Sequence, residues 1–211
     1  PNALKPRFFW IDAAANFPDF ANSKENIARD LALAKDAGFT DIVVDVRPTT
    51  GDVLFKTNLV DQVKFMYAWI GSNYTKVERT ATWDYLQAFV DEARKQGLRI
   101  HAAINTFVGG NQIDGGTGLL YRDQSKAEWA TQMNMQVGIT SVMNTSESTK
   151  FFNPAHPEVQ TFLCDLLKDL AGYDLDGIFL DRGRFLNLQA DFSEESRKQF
   201  EEYMGGIRIQ N

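Results

Sequence analysis

Residues 83–106 read WDYLQAFVDEARKQGLRIHAAINT, and this stretch decides the fold class. Its first part has the apolar spacing of an amphipathic helix, which Thr80 or Thr82 would cap and Gly97 would end. A mostly apolar strand, residues 98–106, is predicted directly after the glycine. A helix that leads straight into a strand is the repeating unit of parallel α/β folds.

The same unit recurs along the chain. Caps or first-turn residues at Ser23, Pro157 and Ser193 predict three further helices. The other predicted strands are residues 7–12, Asp41–Arg47 and residues 176–181. Four βα units in series predict a parallel sheet, either open and doubly wound or closed as a (β/α)₈ barrel of the TIM type. After the first strand the chain reads AAANFPDF, which is not a glycine-rich phosphate loop, and this favours the barrel.

Length and composition limit the alternatives. The chain has 211 residues, of which 44% are hydrophobic, so one domain with a sizeable core is expected over residues 1–211. Four βα units are half of a barrel, which typically needs ~250 residues. We therefore expect a partial TIM-barrel domain that forms the N-terminal part of a longer protein.

The charge balance and the chain start bear on partners and location. With 22 basic and 28 acidic residues the net charge is −6, which disfavours nucleic acid and anionic membranes as partners. No apolar run reaches the ~18 residues of a membrane span. The chain starts PNALKP without an initiator Met, so we expect a leader to have been removed and the protein to be secreted, periplasmic or at the cell surface. The single cysteine, Cys164, excludes an intrachain disulfide and is predicted to be buried in its helix.

Polar side chains recur on one face of the predicted strands, towards the C-terminal end. In strand order, these side chains are Asp12; Asp45 with Arg47; His101 with Asn105; and Asp181. Because side chains alternate with period 2, each strand keeps an apolar face for packing on helices. Active sites of TIM barrels lie at the C-terminal ends of the strands, so the pattern predicts a ligand site there.

Each of these residues has a functional and a structural interpretation. Asp181 would act as a nucleophile or charge stabiliser, kept ionised by the neighbouring Arg182, or it would form a structural ion pair. Arg182 itself would contact the substrate. Asp45 and Arg47 would bind substrate hydroxyl groups or pair with each other, and the same two interpretations apply to Asp12. His101 and Asn105 would contact a ligand, or His101 would be a satisfied core histidine.

Two long loops are predicted, one after the second strand and one from Gly109 to about Phe152. Trp69 and Tyr74 lie in the first of these loops. Aromatic faces suit the apolar C–H faces of sugar rings, although exposed Trp and Tyr side chains also cover core edges. No sequence pattern predicts a cofactor or a tightly spaced metal site.

Several segments carry a resemblance to a known family. They are WIDAAANFP, VVDVRPTTGDVLF, AFVDEARKQGLRIHAAIN and FFNPAHPEVQTFLCDLLKDLAGYDLDGIFLD. These segments resemble the glycosyl-hydrolase-like 10 family. The resemblance implies a (β/α)₈ barrel related to the alpha-amylase group, with a carbohydrate substrate. It implies Asp181 as the nucleophile and Arg47, His101 and Asn105 as sugar contacts.

The chain departs from the family pattern at three positions. Arg182 stands where a second acid usually follows, Ala103 where an aromatic residue is usual, and Thr106 where proline is usual. A glycosidase also needs a second carboxylate, and no Glu stands at a predicted strand end, so we expect the acid/base to lie outside this chain.

Two alternatives to a glycoside hydrolase remain open. A barrel that has kept the sugar cleft and lost catalysis would bind carbohydrate only, as Arg182 would favour. A lyase or isomerase would use Asp12, Asp45, His101 and Asp181 to hold Mg²⁺ or Mn²⁺.

Overall fold

A computed structural model of the chain describes residues 5–209, which form two compact units. The first unit contains residues 5–48, 53–104 and 168–181, and the second contains the intervening segments and residues 182–209. The strands are β1 (Phe8–Ile11), β2 (Asp41–Arg47), β3 (Phe65–Ile70), β4 (Asn73–Glu78), β5 (Arg99–Asn105), β6 (Val108–Asn111), β7 (Gln132–Met135), β8 (Gly138–Ser141), β9 (Thr149–Phe151) and β10 (Gly177–Asp181). The helices are α1 (Phe17–Phe20), α2 (Lys24–Asp36), α3 (Tyr85–Gln96), α4 (Leu119–Arg122), α5 (Pro157–Leu170) and α6 (Glu194–Tyr203).

A four-stranded sheet organises the first unit, with the strand order β1-β2-β5-β10. The β1–β2 and β2–β5 pairs are parallel, and β2 is buried at every position. The register aligns Trp10 with Val43, and Val43 with His101. These are the four strands that the sequence predicts, each within one residue of its predicted ends, so the predicted α/β class with a parallel sheet is confirmed.

The helices begin and end where short-range signals stand in the sequence. Ser23 caps α2 by accepting the Asn26 N–H at 3.1 Å, and Gly97 ends α3 in the left-handed conformation at φ 65°. The predicted cap of α3 was wrong. Asp84 caps it by accepting the Gln87 N–H, whereas the Thr80 hydroxyl lies 3.3 Å from the Asn22 side-chain oxygen.

The sheet packs its apolar face against α2 and α3. Ile42, Val44, Ile100 and Ala102 are fully buried, as are Leu31 of α2 and Phe89 of α3. Each large aliphatic or aromatic side chain so buried contributes roughly 1.5–3 kcal/mol, and this core holds the strand ends in place.

The two long segments expected to be loops contain antiparallel strand pairs. In the first unit β3 pairs with β4, and in the second unit β6 pairs with β9 and β7 with β8. Cys164 is exposed, which corrects the prediction that it is buried, because the buried side of α5 is formed by Val159, Phe162, Leu163 and Leu166. Within residues 5–209 no helix has both the length and the apolar character that crossing a bilayer requires.

Candidate functional site

Three carboxylates stand at the C-terminal ends of strands in the first unit. Asp12 follows β1, Asp45 lies near the end of β2 and Asp181 is the last residue of β10. Because Ile11 pairs with Val44, the next residues on the two strands, Asp12 and Asp45, come to the same level of the sheet. The negative charges of Asp12 and Asp181 both act on Asp45. The sequence prediction that these three side chains lie near one another is consistent with this arrangement.

Asp45 is the buried member of the three, with 8% of its surface exposed. Its carboxylate accepts the backbone N–H of Arg47 at 3.1 Å and the backbone N–H of Ala13. Burial, followed by repulsion from Asp12 and Asp181, raises the pKa of Asp45 to about 7 against these two hydrogen bonds. The raised pKa favours the protonated form of Asp45, which can donate as well as accept a hydrogen bond.

Asp12 is exposed and shapes the turn after β1. One of its carboxylate oxygens accepts the N–H groups of Ala14 at 2.8 Å and Ala15 at 2.7 Å. The Asn16 side chain in turn accepts the N–H of Asp12 at 3.0 Å. These local bonds fix the side chain of Asp12 at the strand end.

A buried tyrosine borders the carboxylates. Tyr85 begins α3, is 1% exposed, and its hydroxyl has no hydrogen-bond partner among residues 5–209. Burial raises the pKa of Tyr85, and the charges of Asp45 and Asp12 raise it further. The sequence patterns did not single out this residue. A tyrosine within the buried stripe of α3 was the available signal, because a buried phenol usually has a polar partner.

Asp181 is exposed at the end of β10, so its carboxylate is accessible. The next residue, Arg182, has a left-handed backbone at φ 47°, which is uncommon for a residue with a side chain. The guanidinium of Arg184 donates to the carbonyl oxygens of Phe185 at 2.9 Å and Leu186 at 2.5 Å, within its own turn.

The ends of β2 and β5 carry two more of the predicted residues. Arg47 is fully buried in the first unit, and Asn105 is 5% exposed at the start of a segment of the second unit. Arg182 also belongs to the second unit. Sugar contacts at Asn105 and Arg182 stay predictions.

His101 is at the other end of the sheet. Its Nε2 lies 2.8 Å from the carboxylate of Asp41, the first residue of β2, and its ring packs against Phe8 and Phe179. Asp41 and Asp45 are four positions apart, which is about 13 Å along the strand. The glycine at position 177 makes room for the ring, since a Cβ there would lie 2.7 Å from Nδ1. The structure therefore does not bring His101 to the carboxylates.

The Asp41 end is a charge network. Arg99 and Thr40 also bond to the Asp41 carboxylate, which is 1% exposed. Burial alone would raise the pKa of Asp41, but the hydrogen bonds from Arg99, Thr40 and His101 outweigh it and lower the pKa to about 2.

The four side chains suggested for a metal site are not grouped as one. Within residues 5–209 no cluster of three or more His, Cys, Asp or Glu side chains is arranged to hold a metal ion. With His101 bound to Asp41, the geometry gives the lyase or isomerase alternative no support.

Trp69 and Tyr74 lie on the β3–β4 hairpin of the first unit. They face each other across the two strands, with ring centroids 5.3 Å apart, and are 69% and 56% exposed. The structure thus places them on a separate antiparallel ribbon, where the sequence predicted only a loop.

Comparisons with known proteins agree with this picture. Residues 6–206 match the model of a family described as glycosyl hydrolase-like 10. The chain is 31% identical over 215 residues to an S-layer-related protein of Niallia circulans, in an alignment that covers 98% of this chain and 13% of that protein. The chain therefore spans only a small part of the length of this relative.

Two solved structures are similar in fold. The alpha-L-fucosidase isoenzyme 2 of Paenibacillus thiaminolyticus is 18% identical with a TM-score of 0.58, over 96% of this chain and 26% of the enzyme. An alpha-amylase from Lactobacillus plantarum is 18% identical with a TM-score of 0.53, over 95% of this chain and 43% of the enzyme. Both are TIM-barrel glycoside hydrolases, so the sheet of four parallel strands is a part of a barrel of that type.

Proposed function

The chain belongs to the glycosyl hydrolase-like 10 family, and on this premise we propose that it forms part of a glycoside hydrolase that acts on a polysaccharide or oligosaccharide. Asp181 is the nucleophile of this proposal. The observation that carries it is the set of carboxylates at the C-terminal ends of β1, β2 and β10, because TIM-barrel enzymes hold their catalytic groups at these ends.

In the proposed reaction Asp181 attacks the anomeric carbon of the sugar while the bond from that carbon to the leaving oxygen breaks. A proton from an acid/base residue goes to the leaving oxygen, and water then hydrolyses the glycosyl ester. We place the acid/base outside residues 1–211. The exposure of Asp181 supports the role of nucleophile, since the attacking oxygen must reach the substrate.

The neighbouring groups would hold the sugar. Asp45 is suited to a substrate hydroxyl because a carboxyl with a pKa of about 7 offers both a donor and an acceptor at neutral pH. Asp12, fixed by its turn, would accept a hydroxyl through its second oxygen. Arg47 is fully buried, and a sugar contact there stays a prediction from the sequence. His101 has a structural role in this proposal because it is bound to Asp41.

We also propose a location at the cell surface. The relative of Niallia circulans is an S-layer-related protein, and a polysaccharide substrate would be found there.

A carbohydrate-binding barrel without catalysis is the second candidate. Arg182 favours it, because it stands directly after Asp181 where the resembling family usually has an acid. The two candidates differ in turnover and not in glycan binding.

The test is sugar release from a panel of polysaccharides and aryl glycosides by the full-length protein that contains this chain. Asp181→Asn is compared with the matched variant Asp36→Asn, which changes an exposed residue at the end of α2. Release that falls by orders of magnitude in Asp181→Asn alone supports the nucleophile. Equal release in both variants rules out this role, and glycan binding without any release supports the second candidate.

A further inference from the structure

The β3–β4 hairpin presents a row of aromatic rings on one face. Phe65, Tyr67 and Trp69 alternate along β3 and therefore point to the same side, and Tyr74 pairs with Trp69 across the ribbon. Neighbouring rings are in contact range, with centroids 6.1 Å apart for Phe65 and Tyr67 and 5.3 Å for Tyr67 and Tyr74. We call the surface formed by these four rings the hairpin platform.

The other face of the hairpin holds the platform in place. Met66 and Ala68 alternate with the platform residues and are buried, at 5% and 3% exposure. Because two buried anchors fix the strand, the rings form a preformed surface. Little conformational entropy would be lost when a ligand binds to it.

Polar groups accompany the rings. The ammonium group of Lys76 lies 4.1 Å from the centroid of Phe65, and Glu78 pairs with Phe65 across the strands. An exposed Asn73 follows at the turn end. A pyranose ring has an apolar C–H face and an edge of hydroxyl groups. Flat aromatic faces bordered by donors and acceptors match both parts.

The size of the platform argues against a protein occupant. Each strand has six residues at ~3.4 Å, which is a length of about 20 Å. Two strands, each ~5 Å wide, therefore give a face of about 200 Å². A stable protein interface buries about 800 Å² on each partner, roughly four times this area. A second copy of the chain would therefore gain too little from this surface.

The charge argues for a neutral ligand. The chain carries a net charge of −6, which repels polyanions, and the platform itself offers one cation and one anion, Lys76 and Glu78. We propose that the hairpin platform binds a neutral polysaccharide chain by stacking of sugar rings on Trp69 and Tyr74. This goes beyond the proposed hydrolase, since such binding does not need Asp181.

The experiment measures binding of the full-length protein to cellulose, chitin, starch and β-1,3-glucan, with polygalacturonate as the anionic polymer. Trp69→Ala and Tyr74→Ala are compared with Tyr203→Ala, which removes an aromatic ring that is 86% exposed on α6. Trp69→Phe tests whether an aromatic ring is sufficient, and circular dichroism verifies the fold of each variant. We expect about tenfold weaker binding for Trp69→Ala and near-unchanged binding for Trp69→Phe and Tyr203→Ala.

Several results would overturn the proposal. They are wild-type protein that binds none of the neutral polymers, equal binding by Trp69→Ala and wild type, binding of polygalacturonate alone, and a dimer that Trp69→Ala dissociates.

Asp181→Asn separates the two proposals. Glycan binding lost in Asp181→Asn and kept in Trp69→Ala would overturn the platform and leave the active-site proposal intact. Binding that depends on Trp69 without any sugar release would overturn the hydrolase and support the platform.

Discussion

The acidic residues at the two ends of the four-stranded sheet differ in their partners and in the direction of their pKa shifts. At the N-terminal end, Asp41 is bonded to Arg99 and His101, and Asp176 accepts the guanidinium of Arg94 and the N–H of Ile100. Both carboxylates have a lowered pKa. At the C-terminal end, burial raises the pKa of Asp45, and the charges of Asp12 and Asp181 raise it further.

The contrast distinguishes residues that stabilise the sheet from residues available for chemistry. Paired charges stabilise the folded state when their hydrogen bonds outweigh desolvation. Like charges that face one another destabilise it, and a fold keeps them where a ligand or a reaction needs them. The distribution agrees with the general rule that the N-terminal ends of barrel strands serve stability and the C-terminal ends serve catalysis.

The same Asp→Asn substitution is made at each end of the sheet, and the largest effect is expected at the C-terminal end. Asp181→Asn should lower turnover by roughly 10³-fold or more, because an amide is a poor nucleophile. Its free energy of unfolding should stay within about 0.5 kcal/mol of the wild type, since the side chain is exposed. Sugar release and urea unfolding are measured on the same preparations. A variant that unfolds more easily in proportion to its lost turnover would show that Asp181 stabilises the fold as Asp41 does.

At the other end, Asp41→Asn should reduce stability by about 2 kcal/mol at pH 7, because hydrogen bonds to a charged carboxylate are lost. The pKa of Asp41 is lowered to about 2 in the folded protein. Its contribution is therefore complete above the unfolded pKa near 4 and is lost as the pH falls towards 2. Urea unfolding of wild type and variant at pH 7, 4, 3 and 2 measures this.

The difference between the two proteins should shrink below pH 4 and be mostly lost near pH 2. Asp36→Asn on the surface of α2 is the control and should show little change at any pH. A constant difference from pH 7 to pH 2 would mean that the ionised form of Asp41 is not what stabilises the sheet.

Local signals predicted much of the sheet and its helices. The bounds of β2 agree with DIVVDVR, and the first residue of α5 is Pro157, because β-branched runs, caps and first-turn prolines act over a few residues. The β3–β4 hairpin was missed. Its strands pair across a tight turn at Gly71 with positive φ, within a segment whose length suggested an irregular loop.

Only part of the candidate site could be predicted from the sequence, because the register between neighbouring strands sets the height of each side chain. Period-2 alternation shows which side chains share a face but not at what height they stand. His101 and Asp45 do share a face, yet the register pairs His101 with Val43, two residues below Asp45. The register between two strands depends on tertiary structure, so the sequence of one strand alone does not determine it.

A smaller effect is expected for Asp45→Asn, which should raise stability by about 1 kcal/mol at pH 8. The raised pKa means that the folded protein disfavours the charged form, so stability falls as the pH rises from about 4 to about 7. Asparagine has no charge to bury, so this loss of stability disappears. Its NH₂ group cannot accept a hydrogen bond, so one of the two backbone N–H groups bonded to the carboxylate loses its acceptor, which cancels part of the gain.

Thermal or urea unfolding at pH 5 and pH 8 tests this. The gain from Asp45→Asn should be larger at pH 8 than at pH 5. A variant that is less stable at both values would show that Asp45 is a stabilising residue like Asp41, and the two ends of the sheet would no longer differ.

Tyr85→Phe should have the smallest effect on stability, within about 0.5 kcal/mol of the wild type, because its hydroxyl has no hydrogen-bond partner among residues 5–209. Tyr173→Phe is the matched control in the same unit. Its hydroxyl donates to Asp84 at 2.6 Å and accepts the Lys56 N–H at 2.7 Å, so its removal should cost about 1–2 kcal/mol. Urea unfolding compares the two. If Tyr85→Phe lowers the free energy of unfolding as much as Tyr173→Phe, the Tyr85 hydroxyl is a structural group. If it leaves stability unchanged and slows sugar release, the hydroxyl serves the carboxylate end of the sheet, as its position beside Asp45 and Asp12 suggests.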